Sequence, residues 1–290
     1  MEHYEILIIG AGAAGISAAK AAYENGCSHI LLVEHNGHLG GILHQCAHHG
    51  FGDGYNGPEY IQQLFTSFPK QIQCRTNTTV LQIHPNKTAV LSSANHGEET
   101  ISFDQLILAT GCREIPLGAL EIAGTRPTGI YTAGQMQEMM NVYGETPESP
   151  VVILGSGDIG LIMANQIAQC GGQVTIIEQK SVCSGMERNR RRIDEYTIPI
   201  IYNTTITELH GEKQLCAVTL SNGTVIPCKT LLIAVGLVPN QELISDMGHR
   251  DWIHVCGNCN RVHTMIESVV YEGKKAGVAA CEQLGGAQYD

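Results

Sequence analysis

At 290 residues, 43% hydrophobic and 16% charged, the chain has the make-up of an ordinary soluble globular protein with room for two medium domains, and is too apolar to be disordered. A formal charge of −11 argues against a nucleic-acid partner, and the one basic run, Arg188-Asn189-Arg190-Arg191-Arg192, reads as a solvated helix start. The opening MEHYEILIIG lacks a basic leader, no apolar run reaches the ~18 residues that cross a bilayer, and the 11 cysteines lack framework spacing, so a cytoplasmic protein with reduced thiols is expected.

In chain order, Tyr4 to Ile9 is a short apolar run that ends directly in GAGAAG, Gly10 to Gly15. A helical stretch follows to about Asn25, and a second run, HILLVE, ends at Glu34. This is strand, glycine turn, helix, strand, acid. Gly10 allows the tight turn, Gly12 admits a pyrophosphate close to the backbone, and Gly15 lets helix and strand pack closely. The helix N-terminus offers free N–H groups and a positive dipole end to phosphate. Glu34 falls where a carboxylate accepts hydrogen bonds from a ribose diol.

The next segment, GGILHQCAHHGFGDG at residues 40–54, combines glycines with His44, Cys46, His48 and His49. Glycines here would let bulky cofactor atoms approach the backbone. The histidines and cysteine offer metal donors but lack C-x₂-C or H-x₃-H spacing, so no metal site is assigned. Proton or electron relay by Cys46 or His48, and plain packing, both stay open.

QLILATG (Gln105 to Gly111) reads as a strand closing this first domain, and Pro116, Pro127, Pro147 and Pro150 cluster around a crossing. The first pattern then returns. VVILGSGDIG (Val151 to Gly160) enters a turn at Gly155, Gly157 and Gly160, a helix runs to about Cys170, and QVTIIE ends at Glu178. An acid there favours the free 2′-hydroxyl of NAD over the phosphate of NADP, with Lys180 two positions away. TLLIAVG (Thr230 to Gly236) repeats the closing strand. The expected fold is α/β, with two nested Rossmann-like dinucleotide-binding domains: residues 1–115 and 249–290 form one, and 116–248 are inserted as the other.

Towards the end, Cys256 and Cys259 form a C-x-x-C pair, which can cycle between dithiol and disulfide when a helix N-terminus lowers one thiol's pKa. A helix is expected from about Thr264 to Ala280, with Met265, Ile266, Val269, Val270, Gly273 and Gly277 along its buried side. An iron–sulfur cluster would need about four ligands, and no second pair lies nearby.

GAGAAG, ATG and GSGDIG in that order resemble the two-domain FAD/NAD(P)H pyridine nucleotide oxidoreductases, the class that includes thioredoxin reductase, over essentially the whole chain. More narrowly, ATGCREIP, GIYTAGQMQ and VCGNCNRVH resemble flavoproteins related to hydrogen cyanide synthase, opine oxidase and sarcosine oxidase subunits, and the small flavoproteins that accompany anaerobic glycerol-3-phosphate-dehydrogenase-like partners. The resemblance implies FAD in the first domain and NAD(H) in the second, making the inserted unit the NAD domain within the FAD domain. It implies an oxidoreductase that accepts hydride from NAD(P)H, NADH favoured, at flavin N5.

Carried over by position, Gly10, Gly12, Ala13, Ala14 and Gly15 would line the FAD pyrophosphate, and Glu34 and His35 the adenosine ribose. Gly40 and Gly41 would pass the inner phosphate, Val80 the adenine, Ala109, Thr110 and Gly111 the turn beneath the cofactor, and Asn258 the ribityl hydroxyls. Gly155, Gly157, Asp158, Ile159, Gly160, Glu178 and Gly236 would contact NAD. Cys46, Cys256, Cys259 and His263 are the candidates for chemistry, and the final helix would point its N-terminus at the flavin. Two departures stand out. YTAGQMQEMM has no cysteine where thioredoxin reductase carries its redox pair, so thioredoxin reduction is not expected, and Gly257-Asn258 replaces the family's Gly-Asp. Electrons would leave through the Cys256/Cys259 pair, a partner dehydrogenase subunit or a small redox protein. The alternative is a non-turnover flavin subunit that scaffolds or wires a larger dehydrogenase, and a weaker one is a thiol redox sensor. A homodimer is compatible with the class; no membrane span is expected.

Overall fold

The computed structural model describes residues 1–286 and contains two compact α/β units: Met1–Arg113 with the chain from Pro239, and Glu114–Val238. In chain order the elements are β1 His3–Ile9, α1 Ala13–Glu24, β2 Ile30–Val33, α2 Gly57–Phe65, β3 Gln73–Arg75, β4 Thr78–His84, β5 Thr88–Ser93, β6 Gly97–Leu108, β7 Cys112–Glu114, β8 Ala123–Gly124 and β9 Ile130–Thr132. They continue as α3 Ala133–Asn141, β10 Val151–Leu154, α4 Asp158–Gln169, β11 Val174–Ile177, α5 Glu187–Glu195, β12 Ile200–Ile201, β13 Ile206–His210, β14 Ala217–Leu220, β15 Val225–Pro227, β16 Thr230–Ile233, β17 Leu237–Pro239, β18 Ile253–Val255 and α6 Ile266–Gly286.

The first unit is built on a sheet ordered β3-β2-β1-β6-β5-β4, with β18 also paired to β6. The long strand β6 makes this possible by dividing its second edge. Its first half, Gly97 to Ser102, runs antiparallel to β5, and Leu106 to Leu108 run parallel to β18. Strand β1 is apolar on both faces because both are covered, as in a parallel sheet. Ile6 and Ile8 join the cluster beneath α1 and α6, while Leu7 and Ile9 join the cluster on the other face with Val80, Leu91 and Phe103. The second unit repeats the parallel core, ordered β12-β11-β10-β16-β9, beside a four-stranded sheet ordered β15-β14-β13-β8.

The boundaries differ from the expected 116 and 248. Residues 239–248, placed by sequence in the inserted unit, belong to the first one. Leu243, Ile244 and Met247 carry them there by packing on the β1/β4/β5 face of the sheet. Two further expectations need correction. Cys27 and Cys281 form a disulfide, Cα–Cα 6.0 Å, joining the end of α1 to α6, so the thiols are not all reduced. Met265, expected on the buried side of the last helix, lies before its first turn and is 39% exposed, whereas Gly273 and Gly277 are buried as expected.

Helix α6 is held by glycine. A Cβ on Gly273 would stand 2.2 Å from the Ala14 carbonyl oxygen, and one on Gly277 would stand 2.2 Å from that of Ala18. The two helices therefore pack backbone to backbone, and a methyl group forces them apart. Gly277→Ala should cost about 1–3 kcal/mol of stability and lower the thermal midpoint by several degrees in a circular dichroism melt. Gly118→Ala, where nothing lies within 4 Å of the added carbon, should leave the midpoint within about a degree, as surface changes usually do.

Candidate functional site

The first glycine turn connects β1 to α1. Gly10 sits at φ +98°, and its Cβ would lie 2.4 Å from Ala109 O; the Cβ of Gly15 would lie 1.8 Å from Gly10 O. Both contacts are with backbone, so only hydrogen fits. Gly12 is different, because nothing in the protein lies within 4 Å of where its Cβ would be. It is the N-cap residue of α1, no side chain caps that end, and the first turn holds no acid. Free N–H groups and an open approach therefore coincide at Gly12, and that cradle fits a phosphate. Ala13 and Ala14 are buried in the first turn of α1, their side chains in the packing beneath.

Glu34 follows β2 and is 3% exposed. Its Oε2 accepts from Ala11 N at 2.9 Å and its Oε1 from Asn36 N at 2.9 Å. His35 is largely exposed, with Nδ1 2.9 Å from Glu34 Oε1. The chain then folds back over the turn. Gly40 N donates to Ala11 O at 2.7 Å, and a Cβ on Gly41 would sit 3.1 Å from Gly12 Cα. Gly10, Gly12, Glu34, Gly40 and Gly41 are thus brought together at the carboxyl ends of parallel strands, where ligands bind in open α/β sheets. Thr78 N donates to Glu34 O at 3.0 Å and brings β4 alongside, but the Val80 side chain is buried in the core. Ala109 and Gly111 flank the end of β6, and Thr110 Oγ1 donates to Asn240 O, with Cys259 Sγ 3.1 Å away.

The second turn has the same construction. A Cβ on Gly155 would lie 2.4 Å from Ala234 O and one on Gly160 2.3 Å from Gly155 O, while Gly157, the uncapped N-cap residue of α4, again faces open space. Glu178 is 6% exposed. It accepts from Ser156 N at 3.0 Å, from Ser156 Oγ, and from Lys180 N at 2.9 Å. Burial raises the Glu178 carboxyl, but these donors and the nearby Lys180 charge outweigh it and hold the group below the usual range. Two expected ligands have other side-chain partners. Asp158 Oδ1 accepts from Met186 N at 2.8 Å and Asn189 Nδ2 at 2.7 Å, fastening the start of α5, and Ile159 packs against the core. Gly236, at φ +139°, follows β16 with Ile115 Cδ1 3.4 Å from its would-be Cβ.

The histidine-rich loop is tied to its own backbone. His44 Nε2 donates to Leu39 O at 2.7 Å, His49 Nδ1 to Gly54 O at 3.1 Å, and Cys46 Sγ to Ile42 O at 3.4 Å. Burial pushes the Cys46 thiol up to about 12. His48 packs against Phe51, ring centroids 5.0 Å apart. Among the described residues, no group of three or more His, Cys, Asp or Glu could hold a metal ion.

The expectation of an acidic thiol in the Cys256/Cys259 pair is overturned. Cys256 lies in the cluster beneath α1 and α6, Cys259 in the cluster on the opposite face of the sheet, and neither is disulfide-bonded. Burial pushes Cys256 up to about 12 and raises Cys259 despite the hydrogen bond from Thr110. Sequence spacing had put the two side by side; the turn at Gly257, φ +67°, sends them to different faces.

One residue escaped the sequence reading. Glu272, on α6, accepts from Gly257 N at 3.0 Å and Asn260 Nδ2 at 3.4 Å, with Arg261 Nε 3.4 Å and His263 Nε2 3.0 Å away. It gathers the whole 257–263 loop, in which Asn258 Oδ1 accepts from His263 N at 3.0 Å. A Cβ on Gly257 would meet Ala14 Cβ at 2.7 Å, so this loop lies directly on the first turn of α1. Only a helical register linking position 272 to a loop 9 to 15 residues earlier would have revealed it. Burial raises the Glu272 carboxyl, but the His263 and Asn260 side chains more than compensate and hold it low.

The architecture is that of a two-unit dinucleotide-binding flavoprotein-type fold. Thioredoxin reductase from T. acidophilum superposes with a TM-score of 0.80 at 21% identity, covering 98% of this chain and 99% of that one. The chain belongs to the pyridine nucleotide-disulphide oxidoreductase family, whose sequence profile matches residues 4–260. It is 25% identical to hydrogen cyanide synthase subunit HcnB of Pseudomonas protegens, covering 83% of this chain and 58% of that protein. It is 27% identical to rubredoxin-NAD(+) reductase of Acinetobacter baylyi, covering 84% of this chain and 65% of that protein. The chain thus spans somewhat over half the length of these relatives. No helix among the described residues is long and apolar enough to cross a membrane.

Two measurements check this account. In the native protein, the exposed Cys74, Cys170 and Cys216 should react with a disulfide reagent well before Cys46, Cys256 and Cys259, which should react only on unfolding; mass mapping of the labelled sites reads the order. Glu272→Gln should lower stability at pH 7. Because the folded carboxyl titrates below its ordinary 4.5, the difference from wild type should be full above that value and shrink as pH falls through the lower one.

Proposed function

We propose that this chain is an FAD-dependent oxidoreductase that accepts reducing equivalents from NAD(P)H, with NADH preferred, and passes them to a partner protein. The observation that carries the reading is the pair of turns at Gly12 and Gly157. Each leaves open space in front of an uncapped helix N-terminus, and each stands beside a buried carboxylate held by backbone donors. In this reading the first unit holds FAD and the second NAD(H). The flavin when bound would supply the hydride-accepting chemistry.

The residues supply binding and orientation. The α1 N-terminus and Gly12 receive the FAD diphosphate, Glu34 accepts from its adenosine ribose, and Gly40-Gly41 let it lie close to the backbone. Gly157 and Glu178 do the same for NAD(H). The 257–263 loop, gathered by Glu272, closes the cradle against α1. Exit of electrons through Cys256 and Cys259 is disfavoured by their burial and high pKa, which leaves a partner subunit or small redox protein as the acceptor. Two relatives, a synthase subunit and a rubredoxin-NAD(+) reductase, agree with that choice.

Valine at either open glycine tests the reading. Gly12→Val meets no protein atom near its Cβ, so the variant should fold yet purify without flavin colour. Gly157→Val should retain flavin and lose anaerobic bleaching by NADH. A wild-type protein that takes up no flavin on reconstitution would overturn the proposal.

A further inference from the structure

The two halves share a turn and a buried acid but differ in what holds the acid: His35 Nδ1 lies 2.9 Å from Glu34 Oε1, whereas a turn hydroxyl reaches Glu178. In the first unit Ala11 follows the leading glycine, and Glu34 receives the Ala11 and Asn36 N–H groups. In the second, the matching position is Ser156, wholly buried. Its N–H and its Oγ–H both reach Glu178 Oε2, and its Oγ accepts in turn from Ser184 N at 3.0 Å. Lys180 N occupies Glu178 Oε1 at 2.9 Å. The hydroxyl has one proton, which goes to Glu178, and Ser184 fixes its direction from the other side. Glu178 cannot turn away without stranding that buried donor, which is costly.

The loop beyond the acid is fastened to the same turn. Cys183 Sγ donates to Ser156 O at 3.4 Å, and Asp158 holds Met186 N and Asn189. Glu178 is therefore braced from the turn and from the loop at once. A braced carboxylate can accept from a 2′,3′-diol but cannot withdraw from a 2′-phosphate, which meets a fixed like charge. The difference between halves then has a reason. The adenosine ribose of a flavin dinucleotide has no 2′-phosphorylated competitor, so the first acid needs no buried hydroxyl from its turn, whereas nicotinamide dinucleotides occur in both forms.

We infer that Ser156 is a coenzyme-specificity residue, a positioning group that acts through Glu178 to set the preference for the unphosphorylated nicotinamide dinucleotide. The inference rests on the NAD(H) reading of the second unit. Titration calorimetry with NAD⁺ and NADP⁺ tests it without turnover. The wild type should bind NAD⁺ more tightly. Ser156→Ala should narrow the ratio of the two Kd values about tenfold, or ~1.4 kcal/mol, and it should fold, because the first unit carries alanine at the matching place. In a Glu178→Ala background the same substitution should leave the ratio unchanged, since its effect passes through the missing carboxylate.

A Ser156→Ala ratio within twofold of wild type, or an equal shift without Glu178, overturns the inference alone. A wild type that prefers NADP⁺ also overturns it. A wild type that binds neither nucleotide removes the underlying reading, and the inference falls with it.

Discussion

A glycine pressed against a carbonyl oxygen is the contact on which both nucleotide-binding halves depend. Gly15 meets Gly10 O and Gly160 meets Gly155 O at separations where a Cβ would lie 1.8 and 2.3 Å away. That closeness lets each helix begin immediately at the end of its strand, with its first N–H groups facing the crevice. Gly10 and Gly155 make the same contact with the neighbouring strand, at Ala109 and Ala234. These four glycines answer to the protein's own backbone. Gly12 and Gly157 do not, because nothing lies within 4 Å of where their Cβ atoms would be. What sets them apart is the coincidence of that open space with an uncapped helix N-terminus, an arrangement that fits a phosphate.

The two buried acids lead to the same conclusion by energy. Withdrawing a carboxylate from water costs several kcal/mol, and hydrogen bonds to a charged group return about 1.5–3 kcal/mol each. With two donors on Glu34 and three on Glu178 the hydrogen bonds return that cost, and on Glu178 they outweigh it. Both acids are thus held in place by donors from the turn and from the chain just beyond. Each stands beside its glycine turn and retains acceptor capacity on its oxygens.

The parallel cores were legible because strand, glycine turn, helix and acid lie within about 25 residues in both halves, so local spacing carries three-dimensional meaning. Gly40-Gly41 and the closing strand at Gln105 to Gly111 were legible through resemblance. What escaped depends on contacts between distant segments. The 239–248 stretch looked like part of the inserted unit until Leu243, Ile244 and Met247 were seen covering the first sheet. Cys27 and Cys281 are 254 residues apart, and nothing local pairs them. Cys256 and Cys259 misled for the opposite reason. Their short spacing implied proximity of function, but a positive-φ glycine between them sends one thiol to each face. Asp158 sits in the motif and looks like a ligand, yet its carboxylate is consumed by a loop 28 residues away.

Helix α6 joins these threads. Through Gly273 and Gly277 it lies against the α1 backbone, and one residue earlier Glu272 collects the loop that rests on the first turn of α1. A shift of α6 would therefore move both the floor and the wall of the first cradle together. Substituting the loop alone, at Asn258 or His263, disturbs the wall; substituting Gly273 displaces both. The Cys27–Cys281 disulfide adds a covalent tie between the end of α1 and α6, while Cys256 and Cys259 fill the two cores. The wall of the cradle is thus held by the Glu272 carboxylate, with Cys256 and Cys259 buried in the packing on either face of the sheet.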